Sequence, residues 1–379
     1  MSIDQLKRSG FKKLIFNFVV SKPIVMKITH AQKSKIKNVD FDNLNFGEIF
    51  TDHMFVCDYI NGQWSTPEIL PYQPIQMDPS SSVLHYGQAV FEGMKAYKDD
   101  TDGVWLFRPE QNFERINKSS KRLSIPEFPK EFFFEGLEKL LDLDKEWIRK
   151  GDGNSLYIRP FVFASQAGVQ ASASNAYKFM IICSPVGSYY SSPEVHVQVA
   201  EKFSRAAPGG VGYAKAAGNY AAQFYPTTLA QKEGFQQIIW TDSSTHEYLE
   251  EAGTMNIFFR IHDTLVTTPT SDRILDGITR KSILELAEYL KIKTEVRPIS
   301  IQELLSSKED GSLKEIFGAG TAVVVSPIKG FGYQNKRYTL EDVSDSFASI
   351  LKDKIISIQR NTIEDPFGWR HEVKTTVLK

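Results

Sequence analysis

One lysine in this sequence has neighbours that suit a reactive amine. Lys215 lies within residues 209–220, a stretch that holds four glycines and no second charged side chain. An amine that is to react with an aldehyde needs open space on one side and few competing charges around it. The stretch therefore predicts a lysine that holds an aldehyde cofactor as a Schiff base. The alternative is a glycine-rich surface loop with an ordinary solvated lysine.

Two adjacent glutamates precede a predicted strand in the segment Leu249-Glu-Glu-Ala-Gly-Thr-Met-Asn-Ile257. A carboxylate at a strand end can face inward. Glu251 in that place would keep the ring nitrogen of pyridoxal phosphate protonated and the ring electron-withdrawing. Tyr220, near the start of a predicted helix, could donate its phenol to the 3-oxygen of that cofactor. The alternatives are a solvated glutamate pair at a turn and a tyrosine that serves packing.

A phosphate group would find its partners at the start of another predicted helix. The turn Asp276-Gly-Ile-Thr-Arg280 exposes the backbone amides of Ile278 and Thr279, and Thr279 adds its hydroxyl. Arg115 lies among apolar residues of a separate predicted helix and can supply a guanidinium fork. A capped helix and an arginine that reaches the surface are the alternatives.

The segment Gly318-Ala-Gly-Thr-Ala322 resembles part of a dinucleotide-binding fingerprint. It lacks the third glycine, and a strand pattern rather than a helix follows it, so the dinucleotide interpretation fails. The segment is better suited to offer the amides of Thr321 and Ala322 to an anion, either a cofactor phosphate or a substrate carboxylate.

Composition excludes several classes of function. The chain has 379 residues, enough for two domains, and its net charge of −1 leaves no basic surface for nucleic acid or an anionic membrane. The two cysteines and seven histidines lack metal-ligand spacing, so we predict no metal site. Sparse cysteines fit a reducing, cytoplasmic location. The basic first 25 residues hold only a short apolar run, and we expect a dispensable extension rather than a targeting signal.

Strand and helix patterns alternate irregularly, which predicts an α+β fold rather than a doubly wound sheet. Asn61-Gly62 predicts a tight hairpin, and the last apolar periodicity predicts a helix near residues 340–359. Proline, glycine and serine concentrate near residues 184–193, the best linker candidate. We therefore predict an N-terminal extension over 1–35, a small domain over 36–184, a linker over 185–193 and a large cofactor-binding domain over 194–379.

Seven ordered segments of the chain resemble the branched-chain amino acid aminotransferases, which are pyridoxal-phosphate enzymes of fold type IV. They are Phe50-Thr-Asp-His-Met54, Leu84-His-Tyr-Gly87, Phe91-Glu-Gly-Met-Lys-Ala96, Leu156-Tyr-Ile-Arg-Pro160, Gly218-Asn-Tyr220, Glu251-Ala-Gly-Thr-Met-Asn256 and Gly318-Ala-Gly-Thr-Ala322. The resemblance implies a two-domain fold similar to that of D-amino acid aminotransferase, with a smaller N-terminal and a larger C-terminal domain. It also implies a homodimer or a larger homo-oligomer.

The resemblance also implies roles for individual residues. Lys215 takes the role of Schiff-base lysine and proton carrier, Glu251 that of the acid at the ring nitrogen, and Tyr220 that of the contact to the 3-oxygen. The implied phosphate contacts are Arg115, Ile278, Thr279 and Thr321. The implied wall for an aliphatic side chain consists of Phe46, Phe91, Tyr157 and Thr254. The implied carboxylate side consists of Tyr86, Arg159, Thr321 and Ala322.

The predicted reaction is the reversible transfer of an amino group from L-leucine, L-isoleucine or L-valine to 2-oxoglutarate, with these small molecules as the partners. A D-amino acid aminotransferase or an aminodeoxychorismate lyase of the same fold is the nearest alternative, and the Phe50–Met54 and Leu156–Pro160 segments argue against both. A non-catalytic relative is the alternative from another class. The joint presence of Lys215, Glu251, Tyr220 and Arg115 argues against it.

Overall fold

A computed structural model describes residues 25–187 and 194–374. Most of the predicted extension and of the predicted linker therefore lies outside the described residues. Within the described ranges the α-helices are α1 (Ser82–Tyr86), α2 (Pro109–Arg122), α3 (Lys130–Leu143), α4 (Ala217–Lys232), α5 (Ile278–Tyr289), α6 (Ile301–Glu309) and α7 (Phe347–Gln359).

The first sheet is built mainly from the N-terminal half of the chain. Its strands are β1 (Lys27–Ile28), β2 (His53–Ile60), β3 (Gln63–Trp64), β4 (Glu68–Pro71), β5 (Ala89–Phe91), β6 (Met94–Lys98), β7 (Val104–Phe107), β8 (Ser155–Ala164), β9 (Tyr177–Val186) and β20 (Arg370–Glu372). The strand order is β1-β4-β2-β9-β8-β6-β7-β20, while β3 pairs with β2 and β5 with β8. Neighbouring strands run antiparallel along the centre of the sheet, and β1 pairs with β4 in parallel.

Helices α2 and α3 cover one face of this sheet. Phe113 of α2 and Phe133 and Leu137 of α3 belong to the same buried cluster as Phe55 of β2. At Gly136 the helix approaches the sheet closely, because an added Cβ there would lie 2.2 Å from the Phe55 ring. The packing holds α2, and with it Arg115, in a fixed place beside the sheet.

The second sheet is built from the C-terminal half. Its strands are β10 (His196–Val199), β11 (Gln237–Thr241), β12 (Leu249–Ala252), β13 (Met255–Ile261), β14 (Thr264–Thr267), β15 (Lys293–Val296), β16 (Leu313–Gly320), β17 (Val324–Ile328), β18 (Gly330–Tyr333) and β19 (Lys336–Thr339). The order is β15-β14-β13-β12-β11-β10-β18-β19, with β16 paired to β13 and β17. Parallel pairs such as β10 with β11 stand beside antiparallel ones such as β12 with β13.

This second sheet is buried on both faces. Successive side chains of a strand point to opposite sides, and β13 shows the consequence. Ile257 and Phe259 pack in one cluster with residues of α6, whereas Phe258 packs in another with residues of α5 and α7. Helices thus lie on both sides of the sheet that carries Glu251, and its strands stay rigid.

The chain returns to the first sheet at its described C-terminal end. Strand β20 pairs with β7, and the backbone N–H of Arg108 donates to the Trp369 carbonyl at 2.8 Å. The last strand therefore ties the C-terminal half of the chain to the first sheet. The mixed strand directions agree with the α+β prediction. The predicted domain boundaries remain a prediction.

Candidate active site

A cavity of about 340 Å³ lies between the two sheets and brings together nearly all of the predicted site residues. That volume falls within the range of roughly 300–1,000 Å³ typical of small-molecule sites. The predicted residues that line the cavity are Phe46, Phe91, Arg115, Tyr157, Arg159, Lys215, Tyr220, Glu251, Thr254, Ile278, Thr279, Thr321 and Ala322. Tyr86 is not part of the lining.

The backbone of Lys215 joins the second half of the chain to the first. Its N–H donates to Ser119 Oγ of α2 at 2.9 Å, and its carbonyl accepts from the N–H of Phe91 at 3.1 Å. The side-chain amide of Asn219 donates to the carbonyls of Val211 and Ala214 at 2.8 and 2.9 Å and so closes the loop that precedes the lysine. The main chain at Lys215 is therefore fixed from both sides.

The side chain of Lys215 lies in the cavity without an acidic partner. Its Nζ donates to the hydroxyl of Tyr220 at 2.7 Å and lies 4.9 Å from the centre of the Phe91 ring. No ion pair to Lys215 occurs within the described residues. A primary amine that lines an open cavity, held by one phenol and two aromatic faces, suits a nucleophile.

Glu251 also lines the cavity and is buried, with 4% of its surface exposed. One carboxylate oxygen pairs with Arg205 at 2.6 Å, and the other accepts from the backbone N–H of Leu275 at 3.0 Å and from the side-chain amide of Asn256 at 3.2 Å. Burial raises the pKa of Glu251 above its ordinary value, against the opposing effect of Arg205. A carboxylate whose pKa is raised binds a neighbouring proton donor more strongly than an ordinary glutamate does.

The N-terminus of α5 supplies amides to the same cavity. The helix begins at Ile278, and the amides of Ile278 and Thr279 in its first turn have no helical partner. Gly277 before it has no side chain that could cap them. Gly277 is also required for space, because an added Cβ would lie 1.9 Å from Asn256 Oδ1. Asn256 thus links the Glu251 carboxylate to the position of the helix end.

Arg115 points its guanidinium at this helix end and is held from behind by Glu92. Its Nε and Nη2 donate to the two Glu92 oxygens at 2.6 and 2.9 Å, and its Nη1 donates to the Asp276 carbonyl at 3.0 Å. Burial alone would raise the pKa of Glu92, but the facing guanidinium holds it below its usual value. N–H groups remain on both terminal nitrogens of Arg115, which suits a phosphate that also meets the α5 amides.

We expect Glu92→Gln to destabilise the protein, because it leaves the buried Arg115 guanidinium without a counter-charge. Loss of one partner of a buried ion pair costs about 3–5 kcal/mol, and we expect a loss near the lower value, since glutamine keeps hydrogen bonds. Urea unfolding of the cofactor-free protein measures this loss in the free energy of unfolding. Glu114→Gln on the exposed side of α2 is the matched control, expected to change stability by less than about 0.5 kcal/mol. Equal stability of the two variants would contradict the orienting role of Glu92.

The aliphatic side of the cavity is a wall of aromatic rings. Phe46 packs edge-on against Tyr157 with ring centres 4.9 Å apart, and Phe91 contacts Tyr220 with centres 4.7 Å apart. Gly93 makes room for this wall, because an added Cβ would lie 2.2 Å from the Tyr157 hydroxyl oxygen. Large flat side chains that exclude water favour a substrate with an apolar side chain.

Arg159 brings a cation to the aromatic wall. Its guanidinium lies 4.5 Å from the centre of the Phe91 ring, and its Nη2 donates to the Tyr157 hydroxyl at 2.8 Å. Its Nε is buried and has no hydrogen-bond partner within the described residues. Arg159 lines the cavity and so supplies a positive charge to this wall.

The turn after β16 presents Thr321 and Ala322 to the cavity. Lys95, in the first sheet, donates its Nζ to the Ala322 carbonyl at 2.7 Å. Because a peptide unit is planar, fixing this carbonyl also fixes the direction of the next N–H in the turn. The sequence interpretation named Thr321 and Ala322 and missed the lysine that holds the peptide unit between Ala322 and Val323.

Tyr86 lies apart from the other predicted residues. Its hydroxyl donates to the Val169 carbonyl, and 46% of its surface is exposed. It therefore contacts no ligand in this cavity from within the same chain, and its implied carboxylate role remains a prediction.

Sequence reasoning missed Glu92, Arg205 and Asn256, each of which acts on a predicted site residue. Glu92 and Asn256 do lie within segments that carry the family resemblance, and an acid between Phe91 and Gly93 is a signal that could have been used. Arg205 follows a loop without periodicity, and no local pattern points to it. Among the described residues no group of histidine, cysteine, aspartate and glutamate could hold a metal ion.

Comparison with known proteins agrees with this geometry. The family model described as amino-transferase class IV matches residues 89–331. The chain therefore belongs to the class IV aminotransferases, whose cofactor is pyridoxal 5′-phosphate. The fold-type prediction and the cofactor prediction are confirmed.

Relatives within that class carry more specific names. Branched-chain-amino-acid aminotransferase 2 of Bacillus subtilis (strain 168) is 44% identical over 354 residues, 92% of this chain and 97% of the relative. The branched-chain aminotransferase of Thermoproteus uzoniensis has a similar fold, with a TM-score of 0.71 at 22% identity, over 85% of this chain and 100% of that one. The branched-chain amino acid aminotransferase of Escherichia coli gives a TM-score of 0.65 at 24% identity, over 84% of this chain and 99% of that one.

The residues present fit the cofactor of this class. The cavity contains one amine without an acidic partner, one deeply buried carboxylate, and a helix N-terminus faced by an oriented guanidinium. The amine suits the cofactor's aldehyde, and the carboxylate suits its ring nitrogen. The helix N-terminus and the guanidinium suit its phosphate. Within the described ranges, the helices are too short or too polar to cross a membrane.

Proposed function

We propose that this protein catalyses the reversible transamination of L-leucine, L-isoleucine and L-valine with 2-oxoglutarate, yielding the 2-oxo acids and L-glutamate. The observation that carries the proposal is the meeting of Lys215, Glu251 and an aromatic wall in one cavity. Sequence identity of 44% to a branched-chain-amino-acid aminotransferase supports the same substrate class.

Bound pyridoxal phosphate supplies an aldehyde that takes up the amino group and a ring that withdraws electrons from the substrate Cα. Lys215 Nζ holds the cofactor and then carries the Cα proton. The Tyr220 hydroxyl, 2.7 Å from Nζ, keeps the amine directed into the cavity. Glu251 keeps the ring nitrogen protonated. Arg115 and the first amides of α5 would bind the phosphate.

Substrate choice follows from the aromatic wall and its one cation. Phe46, Phe91 and Tyr157 exclude water from a branched aliphatic side chain. The three substrates differ by methylene groups, and one methylene changes the discrimination between substrates by only about 1–3 kcal/mol. All three should therefore react. Arg159, which lines the cavity, is our candidate for the second carboxylate of 2-oxoglutarate. The amides of the Thr321–Ala322 turn receive the carboxylate next to Cα.

We further propose a homo-oligomer, at least a dimer, in which a second copy of the chain approaches the cavity at Tyr86. Leu84, Tyr86 and Val169 form an exposed apolar group, with 59%, 46% and 62% of their surfaces accessible. Covering such a group is a usual reason for self-association. The cytoplasmic location remains part of this proposal and is supported by two buried, unpaired cysteines.

A comparison of substrate stereochemistry tests the proposed function. With 2-oxoglutarate as acceptor, we expect kcat/KM for L-leucine to exceed that for D-alanine by at least about 100-fold, because a buried site built for one set of contacts rejects their mirror image. Glutamate formation measures the rate. Preference for D-alanine would assign the chain to D-amino acid transamination instead, and turnover of neither would support a non-catalytic role.

A further inference from the structure

A second cavity, of about 370 Å³, lies beside the first. It is bounded by the ends of β6 and β8 on the first sheet, by the start of β17 and by α7. Ala322, Val323 and Ser326 line both cavities, so the turn that offers amides to the substrate separates them. Its volume suits a small organic molecule rather than a single inorganic ion.

The charged side chains that line this second cavity are all cationic within the described residues: Lys95, Lys329, Lys352 and Arg360. Two of them have partners at the surface, since Arg360 pairs with Asp152 and Lys329 with Asp342, and both acids are largely exposed. Lys95 and Lys352 have no ion pair within the described part of the chain. The positive charge in the cavity is therefore only partly compensated.

Two buried polar groups in the same wall also lack a full set of partners. Ser155 is 3% exposed, and its hydroxyl has no hydrogen-bond partner within the described residues. Lys95 is 9% exposed, and within the described residues its ammonium donates to a single acceptor, the Ala322 carbonyl oxygen. Burial lowers the pKa of Lys95 to about 8. Unsatisfied buried donors are rare in native proteins and call for an explanation.

We propose that this cavity is a binding site for a small organic dicarboxylate, separate from the transamination site. One carboxylate would meet the Lys95 ammonium at the buried end, in the part of the wall that includes Ser155. The other would meet Lys352, which is part-exposed on α7. A ligand with two separated negative groups can use both uncompensated cations at once.

Calorimetric titration of the holoenzyme with succinate tests this site, at constant ionic strength and with 4-methylvaleric acid present to fill the transamination site. We expect saturable binding with a Kd of about 1 mM or tighter, and binding of inorganic phosphate at least about ten times weaker. Lys352→Glu should weaken succinate binding at least about tenfold by charge reversal, whereas Lys354→Glu, exposed on the same helix, should leave it within about twofold.

The outcomes separate this site from the transamination site. Lys352→Glu should retain transaminase activity and 4-methylvaleric acid binding, because Lys352 does not line the first cavity. Absence of saturable succinate binding, or equal binding to the Lys352→Glu and Lys354→Glu variants, would overturn the proposal. Tighter binding of phosphate than of succinate would overturn the dicarboxylate assignment.

Discussion

Replacing Lys215 with alanine is expected to reduce the rate of L-leucine transamination by about four orders of magnitude. The variant loses both the covalent hold on the cofactor and the group that carries the Cα proton, and proton transfer by a positioned side chain alone contributes about 10²–10⁴ in rate. Glutamate formation under saturating cofactor measures the loss. The fold should persist, because the contacts of Lys215 with Ser119 and Phe91 are made by its backbone.

A chemical experiment identifies the reacting amine directly. Borohydride reduction of the holoenzyme, followed by peptide mapping, should find the pyridoxyl group on Lys215. Lys232→Ala at the end of α4 is the matched control and should keep both full activity and the label on Lys215. Labelling of any other lysine in the parent protein, or retention of activity by Lys215→Ala, would overturn the assignment.

Short-range features of the fold were predictable, and their boundaries were less so. Asn61 and Gly62 both have positive φ, which confirms the hairpin between β2 and β3. The last helix was predicted near residues 340–359 but begins at Phe347, where the Ser346 hydroxyl accepts from the backbone N–H of Ser349 and caps it. Apolar residues before that cap pack in irregular chain, and periodicity alone does not distinguish the two.

In the candidate site, too, features with a local sequence signal were predictable and features that depend on distant residues were less so. Lys215, Tyr220 and the α5 turn could be recognised because each has a local composition that suits its chemistry. Arg205 could not, since its partner Glu251 lies far from it in sequence. The acid at Glu92 is a local signal, but nothing near it in sequence identifies Arg115 as its partner. Only the three-dimensional structure brings these partners together. Residues that line the cavity were predictable from the sequence, whereas the residues that position them largely were not.

Glu92 and Glu251 show how the surroundings of one cavity give two buried carboxylates different tasks. Both are buried, with 0% and 4% of their surfaces exposed. Glu92 is matched by the Arg115 fork, and its pKa is held below the ordinary value, so it stays an anion that orients a cation. The pKa of Glu251 is raised by burial despite Arg205, so it can share a proton with a ring nitrogen. The difference lies in the environment, since the side chains are chemically the same.

Glu251→Gln is expected to lower kcat for L-leucine by about 10²–10³ while the cofactor remains bound. An amide cannot hold a proton on the ring nitrogen, so negative charge developing at Cα loses a stabilisation worth about 3–4 kcal/mol. Glutamine preserves the shape of the side chain and can still accept from the Leu275 N–H, so phosphate contacts at Arg115 should hold the cofactor in place. The measurement is single-turnover kinetics, together with cofactor content from absorbance.

Glu250 offers an unusually close control for this experiment. It is the preceding residue on β12, is also buried, and has a pKa that burial also raises, but it pairs with Arg273 and does not line the cavity. Glu250→Gln should therefore reduce stability while it leaves kcat within about threefold. If both variants lose turnover equally, the effect of Glu251→Gln comes from general disturbance of β12. If Glu251→Gln turns over at nearly the normal rate, the carboxylate has no role at the ring nitrogen.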